Sequence, residues 1–500
     1  MRAIDDLAVK DLSDAVEFAA DHPRRLLPER AWVTPAIEAH RDEFAQMAHT
    51  QITGEWQPSR ERIVGASKAR HGVRPVAVWD PVSHAAYDAL VARITPSLPE
   101  LVRSGDAWRE FLRSPLNDYA APSAKYIVAA DIASCYQFID HGILAAELTG
   151  RSNDRTAVQS IVDLLRETGD RRYGLPQQSR SSDVIAEPYL ARLERALVRK
   201  GLTLSRYNDD FRIVCESWSK VNRAIEVLSD EARQLGLTLN DSKIVTSKRG
   251  TYEKSLDEGD KLRDEIAGEV GFVFDEYDED SEAREDEAAT DVALTILDRW
   301  QKIAGTGEVA EADQATHRSL LDLIPRALGT LRAQAHDDPF AVEVAFSLLR
   351  FEQTLTPNAC RYLATVPTKG TVVNAFDTFL QGDRYLTDWQ AWWLQIPLRG
   401  VALADGAGGP ARLDWLQKVY RSTEHAPLIQ AETALTLATF GHPEASEEEL
   451  VHRYDRATRV ERPTFVAALA TAGASTAMRN AVVSDSPLHE WIFDSVESRA

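Results

Sequence analysis

The hydrophobic periodicity of this chain changes character once, near residue 290, and that change limits the folds open to it. Between residues 61 and 250 short apolar runs alternate with amphipathic helix patterns, as in an α+β domain. RIVGASKARHGVRPVAVWDP reads as two short strands around a turn, and SHAAYDALVARI as a helix. KYIVAADIASCYQFI begins as a buried strand and turns toward a helix. LSRYNDDFRIVCES has the form of a β-hairpin, and KVNRAIEVLSDEARQLG that of a helix closed by Gly236. Beyond FDEYDEDSEAREDEA the strand signals fade. AVEVAFSLLRFEQTL, WQAWWLQIPLRGVAL, LIQAETALTLATF and FVAALATAGA are helix-patterned, and the last two lie about 36 residues apart, a helical-repeat spacing. The expected organisation is a helical extension over 1–60, an α+β domain over 61–273, an acidic linker over 274–292 and an all-α, helical-repeat-like domain over 293–500.

Composition narrows the class. The chain has 500 residues and a net charge of −21, which argues against a general nucleic-acid binder, since phosphate contacts need Lys and Arg. The charge is uneven. Residues 51–250 hold 28 Lys and Arg against 25 Asp and Glu, whereas the remainder holds 29 against 53. Polynucleotide contact is therefore allowed in the α+β region. Cys135, Cys215 and Cys360 are too few and too far apart for a disulfide framework or a zinc site, which fits a reducing compartment. The acidic N-terminal stretch is unlike a secretory signal, and the longest uncharged stretch, Pro463 to Met478, is too short to span a membrane. The expectation is a soluble, cytoplasmic protein.

Three aspartates stand where chemistry is built. Asp131 follows the apolar strand YIVAA, and Asp209 and Asp210 occupy the turn of the hairpin. Nucleotidyl transfer needs two divalent ions held by a few carboxylates on stiff backbone, and magnesium favours such oxygen ligands. An Asp-Asp pair alone is a weak signal; Asp5-Asp6 and Asp337-Asp338 read as surface or turn residues. What distinguishes the hairpin pair is its flanks and its order after Asp131.

AADIASCYQFIDH, GLPQQSRSSDVIAEPYL, RYNDDF and LGLTLNDSK resemble, in order and spacing, the palm motifs of reverse transcriptases. Upstream, SKARHGVRPVAVWDP resembles their fingers motif. The resemblance covers about residues 60–250. It implies a right-hand fingers and palm in which Asp131, Asp209 and Asp210 hold two Mg²⁺ ions and dNTPs are joined to an RNA- or DNA-guided strand. It further implies that Lys68 and Arg74 grip the triphosphate and that Tyr136 stacks under the incoming sugar and excludes a ribose 2′-hydroxyl. Gln177 and Ser182 would shape the template and nucleotide pocket, and Lys243 would lie near the leaving pyrophosphate. All but Arg74, which would be awkward as a purely structural arginine in an apolar strand, have a plainer reading: a core tyrosine for Tyr136, solvated lysines for Lys68 and Lys243, and loop or N-cap bonding for Gln177 and Ser182. One departure stands out: Gln178 occupies a position where the family usually has glycine, and Asp183 one where proline is common.

RYNDDF, the AExYL pattern after the Leu-Pro-Gln loop and the long helical C-terminal half together resemble the bacterial abortive-infection and defence-associated reverse transcriptases. Members of that group make DNA in response to phage. Some copy a partner RNA; others start without a template from a tyrosine of the protein and assemble as oligomers. On that resemblance the candidate priming residues are Tyr362, Tyr385, Tyr420 and Tyr454, each of which also reads as a packed helix residue. A catalytically silent RNA-binding scaffold and a retron or group II intron type of enzyme remain the alternatives. Trp389, Trp392 and Trp393 read as a buried helix contact or subunit interface ahead of a base-stacking surface. Arg41 and His49 read as surface helix residues ahead of a nuclease-type motif.

Overall fold

A computed structural model describes residues 3–54, 56–68, 72–117, 123–257, 287–366, 370–381, 385–405 and 409–498. The chain divides into two compact units. One comprises Met1–Leu7 with Ala86–Glu279, the other Ala8–Ala85 with Asp280–Ala500.

The first unit is built on a four-stranded sheet of order β4-β5-β3-β6, with β3 Tyr126–Asp131, β4 Thr203–Tyr207, β5 Asp210–Cys215 and β6 Val245–Lys248. All its neighbours run antiparallel. Residues alternate along β5: Phe211, Ile213 and Cys215 are buried while Asp210, Arg212 and Val214 are partly exposed, as period-two geometry requires of a sheet packed on one face. Helix Trp218–Gln234 packs on β3 and β5, and helix Arg180–Arg199 packs on β4. Gly236 follows the first of these at φ 74, the left-handed geometry that ends a helix cheaply. The helix after the Leu-Pro-Gln loop starts earlier than its apolar pattern implies. Ser179 caps it by accepting from the Ser182 amide, and Pro188 lies inside it.

The second unit holds the other two strands, β1 Arg62–Lys68 and β2 Gly72–Val78, as an antiparallel hairpin. It also holds the N-terminal helices Val9–Asp21, Val33–Ala39 and Arg41–Ile52, and the helices from Glu287 onward. Helices Gln314–Ala333, Thr356–Thr365, Asp388–Asp405, Pro427–Thr439, Arg462–Thr471 and Pro487–Glu497 pack each on the next, and Pro339–Phe351, Gly370–Leu380 and Pro410–Arg421 form a second row beside them. This is the expected all-α region following an α+β region.

The expected boundaries do not follow this division, because residues 61–273 contribute to both units. The physical reason is a set of part-buried long-range contacts. The Arg62 Nε pairs at 2.5 Å with Oε1 of Glu461, a fully buried carboxylate. Arg30 donates to the Val460 carbonyl and to Thr464 Oγ1. Trp389 and Trp393 both donate their indole N–H to the Leu26 carbonyl. Trp389, Trp392 and Trp393 are buried in the helical core, so they offer no base-stacking face. Arg41 pairs with Glu17 at the surface. The acidic run expected as a linker lies almost wholly outside the described residues.

Candidate active site

The site grows from two chain features. β3 ends at Asp131, and the β4–β5 hairpin turns in two residues, since Tyr207 pairs with Asp210 across it. Asn208, the first turn residue, sits at φ 54, a conformation that asparagine tolerates better than most residues. The ladder sets Asp131 opposite Asp210, and the Ile132 amide donates to the Asp209 carbonyl at 3.2 Å. Asp131, Asp209 and Asp210 thereby each bring a carboxylate oxygen within 4.8 Å of the others.

Electrostatics show what such a cluster lacks. Burial, then the charges of Asp131 and Asp210, push the Asp209 carboxyl up to about 6. Burial lifts Asp210 as well, against the pull of Arg212. Lys243 Nζ lies 3.1 Å from Asp131 Oδ1, and Asn240 Nδ2 donates to Asp131 Oδ2 at 3.1 Å. Three converging carboxylates against Lys243 and Arg212 leave negative charge in excess. A hard divalent cation with oxygen ligands fits that donor set.

Arg206 fixes the hairpin. Its guanidinium pairs with Glu187 and with Glu194 on helix Arg180–Arg199, and it donates to the Asn208 carbonyl at 2.9 Å. The arginine of RYNDDF and the glutamate of AEPYL are thus two ends of one ion pair, which holds the aspartate turn against a helix.

Beside the turn lies a group that includes one residue sequence reading missed, Arg103. Tyr136 donates its hydroxyl to Asp183 Oδ1 at 2.6 Å and accepts from Arg103 Nη2 at 2.9 Å. Arg103 also pairs with Asp183 at 2.8 Å and donates to Asn208 Oδ1 at 2.8 Å. Burial works against the Arg103 charge, but Tyr136 and Asp183 outweigh it and hold the guanidinium above its ordinary range. Burial and Asp183 raise the Tyr136 hydroxyl well above its ordinary range. Arg103 stands in a stretch without periodicity or motif, and no local signal marks it.

The remaining expected residues are spread out. Ser182 is fully buried and shares a hydrogen bond with the Tyr87 hydroxyl at 2.9 Å. Gln177 lies partly exposed in its loop, and Gln178 sits at φ 60, which explains why glycine suits that position. Lys68 and Arg74 lie on the β1–β2 hairpin of the second unit. Tyr362, Tyr420 and Tyr454 are buried, whereas Tyr385 is 80% exposed.

A strand-end aspartate beside a hairpin-borne aspartate pair, on an antiparallel sheet backed by helices, is the palm arrangement of a nucleotidyl-transferring polymerase. Residues 68–258 match the family model described as reverse transcriptase (RNA-dependent DNA polymerase). The chain therefore carries a reverse transcriptase domain, and that domain is a nucleotidyltransferase. A search of curated proteins gives no match. Among solved structures the chain is similar to telomerase from Candida albicans, in complex with a fragment of telomeric RNA. The identity is 9% and the TM-score 0.30, over 65% of this chain and 62% of that one. It is also similar to telomerase from Candida tropicalis, likewise with telomeric RNA, at 12% identity and a TM-score of 0.29, over 76% and 68%. The chain thus spans about three-fifths of the first of these. Among the described residues no helix is long and apolar enough to cross a membrane.

Proposed function

We propose that this protein is a DNA polymerase that joins dNTPs to a 3′-hydroxyl, RNA-directed or without a template, and that it serves in antiphage defence. The observation that carries the polymerase reading is the meeting of Asp131, Asp209 and Asp210 within 4.8 Å. Two Mg²⁺ ions bound there would supply activation of the attacking hydroxyl and charge neutralisation at the triphosphate. Asp131 and Asp209, with Asp210 beside them, would hold those ions. Lys243, at 3.1 Å from Asp131, keeps one carboxylate oriented and brings a positive charge to the phosphate side of the pocket. In the reaction the hydroxyl oxygen bonds to the α-phosphorus, the bond to pyrophosphate breaks, and the hydroxyl proton passes to solvent.

The defence role rests on the RYNDDF and AEPYL segments, which meet as the Arg206–Glu187 pair, and on the helical second unit. If the strand starts from the protein, Tyr385 is the residue whose exposure supports it; Tyr362, Tyr420 and Tyr454 are packed in the core. A homo-oligomer in the cytoplasm with a bound RNA or DNA strand completes the reading.

The test uses purified full-length protein with dNTPs and Mg²⁺, with and without added RNA. Incorporation that disappears in the Asp209→Asn, Asp210→Asn double variant, while the protein stays folded, supports the assignment. Undiminished incorporation in that variant overturns it. DNA that stays attached to the polypeptide after denaturation, and is absent in Tyr385→Phe, supports priming from that residue.

A further inference from the structure

We propose that Arg103 and Asp183 are positioning residues for nucleotide selection, locking Tyr136 and tying it to the turn that carries Asp209. The proposal rests on the polymerase reading above and adds to it two residues that set which sugar the pocket admits.

Four distant segments meet at one guanidinium. Arg103 lies just before helix Gly105–Arg113, Tyr136 in the helical turn Cys135–Phe138, Asp183 in the first turn of helix Arg180–Arg199, and Asn208 in the hairpin turn. Arg103 Nη1 reaches Asp183 Oδ2, while Nη2 serves both Tyr136 and Asn208. Tyr136 closes the ring by donating to the other oxygen of Asp183. Asn208 passes the contact on, because its Nδ2 donates to Asp209 Oδ1 at 2.9 Å. An arginine on one side and a carboxylate on the other leave the Asn208 amide a single sensible orientation. A continuous chain of charge-assisted bonds therefore joins Tyr136 to a carboxylate of the acidic cluster.

This wiring has a consequence for a bound nucleotide. With phosphates held at the acidic cluster, the sugar is the next group along the ligand, and the resemblance to reverse transcriptases sets Tyr136 against it. The Tyr136 proton is already given to Asp183, and both Nη2 protons of Arg103 are given to Tyr136 and Asn208. An extra sugar hydroxyl arriving at the Tyr136 hydroxyl finds that proton already committed, so accepting a bond there means breaking one in the ring, which is costly in a partly buried site. A deoxyribose makes no such demand. Asp183 and Arg103 are only 20% and 24% exposed, so water restores little of what the ribose hydroxyl lacks.

The experiment compares kcat and KM for dNTPs and for rNTPs in full-length wild type, Asp183→Asn, Tyr136→Phe, Arg103→Lys and the Asp183→Asn, Tyr136→Phe double variant. Each single variant is expected to lose about tenfold in preference for deoxynucleotides. The double variant is expected to lose no more than the worse single one, since the two changes open the same ring. Arg103→Lys keeps the charge, loses the fork, and reports on the network with the least risk to folding. Unchanged sugar preference in folded, active variants, or losses that multiply in the double variant, would overturn the proposal. A wild type that incorporates no nucleotide would overturn the polymerase reading and this proposal together; an active wild type with unaltered variants would overturn this one alone.

Discussion

Asp131 and Asp210 stand directly opposite each other at the end of the β3–β5 ladder, so a single backbone register sets the separation of two of the three carboxylates. Asp131→Asn leaves that backbone intact and removes one charge from the cluster. Incorporation should fall by about a thousandfold or more, and added Mg²⁺ should raise the melting temperature of the variant less than that of wild type. Single-turnover incorporation and a melting curve with and without metal check both parts.

Acidity follows from the same crowding. Asp209 is raised from 3.8 to about 6 in the folded protein, so the folded state holds a proton that the unfolded chain releases. Without metal, this group's contribution to stability is greatest below about pH 4, declines as pH rises through 6, and then levels off. Metal binding requires the ionised form and runs the other way. The melting shift caused by Mg²⁺ should be small at pH 5 and reach a plateau above pH 7. Equal shifts at both ends of that range would contradict the assigned proton.

The Arg206–Glu187 pair predicts a stability defect. Arg206 is 5% exposed and Glu187 18%, so Glu187→Ala strands a buried guanidinium that Glu194 satisfies only in part. The expected loss is about 3 kcal/mol, measured by denaturant unfolding. Loss of ordered near-ultraviolet signal at temperatures where wild type is folded would show the same thing. An unfolding midpoint equal to wild type would show that the pair does not hold the hairpin.

Gln178 offers a gain. Its φ of 60 costs a side-chain-bearing residue about 1 kcal/mol relative to glycine. Gln178→Gly should raise stability slightly or leave it level, because the glycine also frees the unfolded chain. A clear loss of stability would mean that the amide of Gln178 makes a contact worth more than the strain.

The acidic cluster was legible in the sequence because its signals are local: an apolar strand running into Asp131, and two apolar flanks around Asp209 and Asp210. The alternation of strands and helices, and the all-helical second half, were legible for the same reason. Arg103 was not, since its partners Tyr136 and Asn208 lie 33 and 105 residues away and neither shares a pattern with it. Asp183 could be marked as an unusual residue at its position, yet its bond to Tyr136 depends on how helix Arg180–Arg199 packs. The placement of β1 and β2 in the helical unit was hidden too. Its anchor, Arg62 on Glu461, spans 399 residues, and nothing local in either residue announces the other.

That anchor has a consequence for synthesis. A ribosome that has delivered the chain through residue 257 has already made all three aspartates and the whole four-stranded sheet. The β1–β2 hairpin emerges earlier still, yet Glu461 comes hundreds of residues after it. That strand pair, which carries Lys68 and Arg74, therefore waits without its anchor until Glu461 has been delivered. The nascent polypeptide completes the sheet that carries its acidic centre well before the strand pair gains its anchor.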